Sequence, residues 1–195
     1  MTGAMTAPAP LMNVPNLLSL SRLPLAVVLC SCIAWEAWPA ALAVFSAAAL
    51  TDWIDGWWAR KFDRGTAVGR SLDPLTDKVL VGAAFIYLIP VPGAGVLPWM
   101  VAVVVCRELI VTGLRGVVES TGRKFGADWF GKLKTVLQCA VLIAVFVILS
   151  VRDDPRSADA LPALGVIYQV LLYAMLAATI GSMLQYIVKA ARLLQ

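Results

Sequence analysis

Six stretches of the sequence are long and apolar enough to cross a lipid bilayer, and they limit the fold more than any other feature. A helix needs about 20 mostly apolar residues to span the hydrocarbon core. The six predicted spans cover residues 16–35, 39–58, 73–91, 96–119, 130–151 and 161–190 of the 195-residue chain. We therefore expect an all-α integral membrane protein, built as a bundle of six transmembrane helices.

The composition excludes a soluble domain. The chain is 61% hydrophobic and 14% charged, with a mean hydropathy of +0.84, whereas a soluble domain is about half apolar and a quarter charged. It contains no histidine, which excludes histidine catalysis and histidine-ligated zinc. The four cysteines lie in apolar runs without the spacing of zinc ligands, so we expect buried, reduced thiols.

The spans and their short connections are expected to form one domain over residues 12–195. Residues 1–11 are rich in alanine and proline, and we expect a disordered N-terminal tail there. They lack the basic region, apolar segment and cleavage site of a secretory signal peptide. We therefore do not interpret them as one.

The basic residues are unevenly divided between the two sides of the predicted bundle. Of the 16 lysines and arginines, all except Arg152 and Arg156 fall on the same side. Because cytoplasmic loops carry an excess of lysine and arginine, we expect that side and both termini to face the cytoplasm. The net charge of +4 then indicates anionic lipid headgroups as partners, and not nucleic acid.

Four aspartates fall within these apolar spans or at their ends: Asp52, Asp55, Asp73 and Asp77. A charged side chain near the centre of a spanning helix costs about 2.5–3.5 kcal/mol on insertion scales. Two interpretations explain how such charges are held. They pair with arginine and lysine in a structural network, or they bind a metal ion and an anionic substrate.

Helical spacing favours the metal ion. One face of the second span carries two carboxylates beside two small residues, within about 100° of one another, namely Asp52, Asp55, Gly56 and Ala59. A second stripe on the next helix has the spacing i, i+4, i+8 and contains Gly69, Asp73 and Asp77. The short connection makes the two helices antiparallel neighbours, so the stripes would meet near the cytoplasmic surface. Oxygen ligands alone suit Mg²⁺ or Mn²⁺, and the small residues leave space for a bulky ligand.

The two stripes belong to a longer motif, D-x2-D-G-x2-A-R-x8-G-x3-D-x3-D. Its eight specified positions are Asp52, Asp55, Gly56, Ala59, Arg60, Gly69, Asp73 and Asp77. The run resembles the complete signature of the CDP-alcohol phosphatidyltransferase family, with no departure. Residues 13–25, 106–116 and 131–135 are similar to the bacterial phosphatidylglycerophosphate synthase branch of that family. The resemblance therefore extends from about residue 13 to about residue 149.

The resemblance implies an enzyme that transfers a phosphatidyl group from CDP-diacylglycerol to an alcohol and releases CMP. For this branch the implied acceptor is sn-glycerol 3-phosphate, and the product is phosphatidylglycerophosphate. The family fold implies a six-helix bundle, commonly a homodimer, whose active site opens to the cytoplasm. A bacterial member of this kind is expected in the inner (plasma) membrane.

The resemblance also implies roles for individual residues. Ligands of two divalent cations, Mg²⁺ or Mn²⁺, are implied at Asp52, Asp55, Asp73 and Asp77. Asp77 is implied as the general base toward the acceptor hydroxyl, and a carboxylate is an obvious candidate in a chain without histidine. Binding of CDP-diacylglycerol is implied for Asp55, Gly56, Ala59, Arg60, Gly69 and Asn16. For Arg60, pairing with an acidic neighbour is an equal alternative to this binding role. For Asn16, the alternative is capping of the first helix.

A second constellation of charges is basic. Arg107 and Arg115 are eight residues apart on nearly the same helix face, and Lys132 and Lys134 begin the fifth span. An acceptor that carries a phosphate needs such a pocket, because arginine binds phosphate through a bidentate fork. We expect these four residues to bind the acceptor phosphate, with ordinary flanking charge as the alternative for the two lysines. Glu108 is expected to point elsewhere and to form a structural pair.

Two other functions remain open from the sequence. The same chemistry with another acceptor, inositol phosphate or phosphatidylglycerol, requires the same signature. A small ion-coupled transporter also carries carboxylates within its spans. Such a transporter is expected to contain inverted internal repeats, and the sequence shows no convincing repeat.

Overall fold

The described part of the chain is entirely helical. The computed structural model describes the backbone of residues 14–62, 67–122 and 129–194 and the side chains of residues 21–51, 78–122 and 129–193. These residues form α1 (Val14–Ala34), α2 (Trp38–Phe62), α3 (Ala67–Leu88), α4 (Pro98–Ser120), α5 (Trp129–Val151) and α6 (Leu161–Leu194). A short 3-10 turn at Pro155–Ser157 precedes α6.

Each predicted span lies on one of the six helices. The largest difference is in α3, which begins six residues before the predicted start of its span and places Gly69, Asp73 and Asp77 on one helix. α6 is the longest helix, with 34 residues. The predicted disordered tail at residues 1–11 lies outside the described residues.

One end of the bundle is held by Arg152, which follows α5. Its guanidinium pairs with Glu36 in the connection from α1 to α2, at 3.2 Å between Nη2 and Oε2. It also donates to the carbonyl of Pro92, at 3.1 Å, in the connection from α3 to α4, and lies 5.9 Å from the centre of the Trp38 ring. The ends of α1, α3 and α5 therefore meet the starts of α2 and α4 here, which we call the Arg152 end.

The start of α6 joins the same end of the molecule. The buried hydroxyl of Tyr168 donates to the carbonyl of Ala94 at 2.6 Å. The next residue, Gly95, has a φ of +63°, and a Cβ there would be 3.6 Å from the Tyr168 ring. All six helices thus begin or end at the Arg152 end in alternation, so consecutive helices are antiparallel.

The core lies between the helices and is filled by aromatic and aliphatic side chains. Phe45 of α2 and Phe146 of α5 meet edge to face, with ring centres 6.0 Å apart. Phe85 of α3 and Leu29 of α1 are fully buried in the same cluster. Because α1 contacts both α2 and α3, and α5 contacts α2 and α6, this cluster joins the first and second halves of the chain.

The outer surface is also strongly apolar. Large hydrophobic side chains are exposed on each of the six helices, among them Val27, Leu50, Ile86, Leu109, Val136 and Val170. Such a surface is costly in water and favourable in lipid. Among the described residues, two helices are long and apolar enough to cross a membrane, Trp129–Val151 and Leu161–Leu193. The apolar described parts of α1, α2 and α3 are shorter.

Candidate functional site

All eight positions of the acidic signature lie on two helices that run in opposite directions. The first five, from Asp52 to Arg60, are on α2, and the last three are on α3. Asp52 is 14 residues beyond the start of α2 and Asp73 is 15 residues before the end of α3. At about 1.5 Å per residue, both backbones are roughly 21–23 Å from the Arg152 end. The two helices therefore carry their aspartates at the same level of the bundle.

The signature side chains lie outside the described ones, so their roles and their convergence stay predictions. This applies to the four aspartates and to the residues implied to bind CDP-diacylglycerol, including Asn16 on α1. The donor set itself fits a hard divalent cation, because it consists only of carboxylates. Among the described side chains, no group of three or more histidine, cysteine or acidic residues is placed to hold a metal ion.

A buried cluster of charges lies directly beside the signature. Glu108 of α4 pairs through Oε1 with Arg107, at 3.2 Å from Nη1, and with the ammonium of Lys134 on α5. Its other oxygen, Oε2, lies 3.6 Å from the ammonium of Lys78 on α3. We call these four residues the Glu108 cluster. Since Lys78 follows Asp77 in the sequence, the cluster begins one residue after the signature ends.

Charge in the Glu108 cluster is unbalanced, because three cations face one carboxylate. Only 3% of Arg107 is exposed, and Glu108 and Lys134 are also buried. Arg107 and Glu108 are near the middle of α4, where apolar surroundings make an uncompensated charge expensive. Within the described side chains, the three cations and one carboxylate of the cluster leave a net positive charge, which is suited to an anion.

Helix α6 orients the guanidinium of Arg107. The Nε atom of Arg107 donates to the hydroxyl of Ser182 at 3.0 Å. The Arg107 guanidinium also lies 5.5 Å from the centre of the Tyr186 ring, a distance at which a cation is attracted to an aromatic face. Ser182 and Tyr186 are both buried. Arg107 is thus fixed by three neighbours before any ligand binds.

Lys78 is held from the other side of the cluster. Its ammonium donates to the hydroxyl of Thr112, and that hydroxyl donates to the backbone carbonyl of Glu108, at 2.7 Å, one turn earlier in α4. Arg115 lies seven residues beyond Glu108 on the same helix, which is about two turns and close to the same helix face. The cluster therefore links α3 to α4 at the level of the signature.

Some buried polar atoms in and beside the cluster make no hydrogen bond. Within the described side chains, three buried polar atoms make no hydrogen bond: Oε2 of Glu108, Nε of Arg115 and Nε2 of Gln138. The amide oxygen of Gln138 faces the ammonium of Lys134 at 3.4 Å. Since buried polar atoms in proteins are nearly always paired, this concentration favours a polar ligand at this point.

The structure unites part of the predicted basic pocket. Arg107 and Lys134 meet through Glu108, and Arg115 is half-buried two turns beyond Glu108 on α4. Lys132 is exposed, at the start of α5, so it lies outside the buried cluster.

The predicted direction of the Glu108 side chain was wrong. Glu108 does form ion pairs, as predicted, but its partners are the cations of the predicted basic pocket. Arg107 and Glu108 are adjacent in sequence, yet their long side chains bend toward each other across about 100° of helix.

Lys78, Ser182 and Tyr186 were not among the predicted site residues. Lys78 belongs to the basic residues that indicate the orientation of the bundle. Its position directly after the last signature aspartate was the available signal. Ser182 and Tyr186 lie in α6, and no local pattern in that helix indicates their contact with Arg107.

Comparison with known proteins identifies the family. A sequence model of the CDP-alcohol phosphatidyltransferase family matches residues 12–187. A Bacillus subtilis (strain 168) protein named CDP-diacylglycerol–glycerol-3-phosphate 3-phosphatidyltransferase is 38% identical over 148 residues, which cover 68% of this chain and 76% of that protein. An Escherichia coli (strain K12) protein of the same name is 35% identical over 136 residues, covering 67% of this chain and 74% of that protein.

These matches confirm the family that the signature predicted, and they agree with the all-helical fold and apolar surface. The family uses divalent cations, which is consistent with the carboxylate-only donor set. The chain belongs to the CDP-alcohol phosphatidyltransferase family.

Proposed function

We propose that this protein transfers the phosphatidyl group of CDP-diacylglycerol to sn-glycerol 3-phosphate, giving phosphatidylglycerophosphate and CMP. The relatives from B. subtilis and E. coli are named for this reaction. The observation that carries the choice of acceptor is the Glu108 cluster, where the buried Arg107 and Lys134 and the half-buried Lys78 face one carboxylate. Serine or choline as acceptor would have no phosphate to bind there.

In the proposed reaction, the acceptor hydroxyl oxygen attacks the β-phosphorus of CDP-diacylglycerol. The bond from that phosphorus to the bridging oxygen breaks, and CMP departs with the electron pair. Asp77 accepts the proton of the acceptor hydroxyl. The adjacent positions of Asp77 and Lys78 on α3 support a base close to the acceptor-phosphate pocket, and we expect direct in-line attack.

Asp52, Asp55, Asp73 and Asp77 would hold two divalent cations, Mg²⁺ or Mn²⁺. When bound, these cations neutralise the pyrophosphate and stabilise the departing CMP. CDP-diacylglycerol lies against the small residues of the signature in this proposal. Its binding residues are Asp55, Gly56, Ala59, Arg60 and Gly69, with Asn16 of α1 nearby.

The acceptor phosphate is bound by Arg107, Arg115 and Lys134, with Lys132 at the entrance. Lys78 is added to the predicted set, because it contacts Glu108 from α3. Arg107 presents a guanidinium fixed by Ser182 and Tyr186, and a preoriented fork suits a phosphate. The exposed ammonium of Lys132 attracts the acceptor before it reaches the buried cations.

The membrane setting is part of the same proposal. Six helices cross the bacterial inner membrane, the termini and active site face the cytoplasm, and two copies of the single domain over residues 12–195 form a homodimer. The basic residues gathered opposite the Arg152 end support this orientation. So does the substrate, since the lipid tails of CDP-diacylglycerol remain in the bilayer while its headgroup reaches the signature.

A product assay tests the function. Purified protein is given CDP-diacylglycerol, a divalent cation and one acceptor at a time: glycerol 3-phosphate, inositol phosphate or phosphatidylglycerol. Released CMP is measured and the lipid product is identified by mass spectrometry. We expect phosphatidylglycerophosphate with the first acceptor only. Product from another acceptor alone would refute the proposed substrate, and solute flux in sealed vesicles without CMP release would indicate the transporter.

A further inference from the structure

Glu108 occupies the centre of a pocket that is proposed to bind an anion. Its Oε1 atom contacts the same Arg107 and Lys134 groups that a phosphate oxygen would contact. Its Oε2 atom is buried without a hydrogen-bond donor. A carboxylate in this place competes with the acceptor phosphate, so its presence requires an explanation beyond simple charge pairing.

One part of the explanation is preorganisation. Buried cations that lack a counter-charge are strongly unfavourable. Such cations move apart or attract anions from solution. Glu108 holds the Lys134 ammonium and the Arg107 guanidinium side by side while the acceptor is absent. The pocket is then already assembled when the acceptor arrives, which lowers the entropy lost on binding.

The other part is the amount of charge that remains. With Glu108 ionised, the positive charge of Lys78, Arg107 and Lys134 is reduced by one unit. A phosphate monoester carries nearly two negative charges at neutral pH, so its attraction to the cluster is weakened in proportion. Without Glu108 the excess would be larger, and small inorganic anions would bind more tightly.

We infer that Glu108 is the specificity-determining positioning residue of the acceptor pocket, which holds its cations in place and lowers their excess positive charge. A phosphate group by itself is then bound less tightly, so free phosphate is a weaker competitor and the acceptor depends on contacts beyond its phosphate. The inference rests on the proposed function, because it takes this cluster to be the acceptor-phosphate site.

Thermal unfolding of the full-length protein in detergent, titrated with inorganic phosphate at constant ionic strength, tests the inference without an activity assay. Glu108→Gln keeps the side-chain shape and removes the charge. We expect this variant to have a lower Tm without phosphate and to be stabilised at phosphate concentrations about tenfold lower than the wild type, as stronger anion binding requires. Equal phosphate dependence of the two proteins would overturn the inference.

Two further variants control for charge and shape. Glu119→Gln removes one negative charge from an exposed position on the same helix and should titrate like the wild type. Glu108→Asp keeps the carboxylate and should require phosphate within about threefold of the wild-type concentration, since charge is the property at issue. A Glu108→Asp variant that behaves like Glu108→Gln would contradict the role of charge.

A second background keeps the test decisive if Glu108→Gln does not fold. Lys78→Met removes one cation from the cluster, so the excess charge left by Glu108→Gln is smaller in this background. The double variant should bind phosphate about tenfold more tightly than Lys78→Met alone. Equal binding by these two variants would refute the inference.

Kinetics separate a failure of this inference from a failure of the proposed function. Inorganic phosphate should inhibit Glu108→Gln at concentrations about tenfold lower than the wild type, in competition with glycerol 3-phosphate. Unchanged inhibition in an active enzyme would overturn the role of Glu108 alone. Absence of phosphatidylglycerophosphate synthesis together with the expected phosphate titration would refute the acceptor and leave the anion site.

Discussion

Gly131 and Tyr186 approach so closely that a Cβ atom at residue 131 would lie 2.8 Å from the Tyr186 hydroxyl oxygen. Tyr186 is only 2% exposed, so its ring has little freedom to move aside. The same ring also lies beside the guanidinium of Arg107, which is proposed to bind the acceptor phosphate. The absence of a side chain at residue 131 therefore affects the orientation of Arg107.

Gly131→Ala should both destabilise the protein and weaken acceptor binding. Overpacking at a buried contact costs about 1–3 kcal/mol, and a displaced Tyr186 would release Arg107. We expect a lower Tm and a raised KM for glycerol 3-phosphate, with the KM for CDP-diacylglycerol nearly unchanged. Gly165→Ala is the matched control, since a Cβ there meets no atom within 4 Å. A control variant with the same defects would show that helical glycines matter generally.

Lys134 and Lys132 are two residues apart but should differ strongly in function. Lys134 is buried against Glu108, whereas Lys132 is exposed. Lys134→Met should raise the KM for glycerol 3-phosphate about tenfold or more, because a buried charge interaction is worth more than a screened one. Lys132→Met should change it by less than about threefold. Steady-state kinetics at several salt concentrations provide the measurement, and the reverse ranking would contradict the structure.

Asp77→Asn should abolish turnover while largely sparing CDP-diacylglycerol binding. An amide cannot accept the hydroxyl proton as a carboxylate does, whereas the remaining aspartates still hold the nucleotide. CMP release measures turnover, and binding of the nucleotide lipid is measured separately. Asp153→Asn, at an exposed position of the Arg152 end, is the control. Normal product formation by Asp77→Asn would exclude Asp77 as the base.

Asp55→Asn should behave differently from Asp77→Asn. Asp55 is assigned both to a divalent cation and to CDP-diacylglycerol, so its loss should weaken both together. We expect the concentration of Mg²⁺ or Mn²⁺ that gives half-maximal activity to rise, along with the KM for CDP-diacylglycerol. A change in only one of these two quantities would separate the roles that are assigned to this residue.

Helix number and helix position could be predicted from the sequence because long apolar runs of about 20 residues favour helices that cross a bilayer. The six predicted runs match the six observed helices to within a few residues, apart from the start of α3. That all six helices cross a membrane stays a prediction. The placement of the acidic signature on α2 and α3 followed from the same pattern.

The contacts of the Glu108 cluster could not be predicted in this way. They join α3, α4, α5 and α6 across sequence separations as large as the 75 residues between Arg107 and Ser182. Helix periodicity predicts which residues share a face. It does not predict the direction in which a long, charged side chain bends around that face. Glu108 illustrates the point, because its side chain reaches cations on three helices.

The length of α6 explains how an apolar helix can also carry Lys189 and Arg192. At about 1.5 Å per residue its 34 residues extend roughly 51 Å, against a hydrocarbon thickness of about 30 Å. Lys189 and Arg192 are 28 and 31 residues beyond Leu161, about 42 and 47 Å along the helix, which exceeds that thickness. In the proposed orientation, the final turns of α6 would reach the lipid phosphates of the cytoplasmic leaflet, where an anionic nucleotide lipid would first be met.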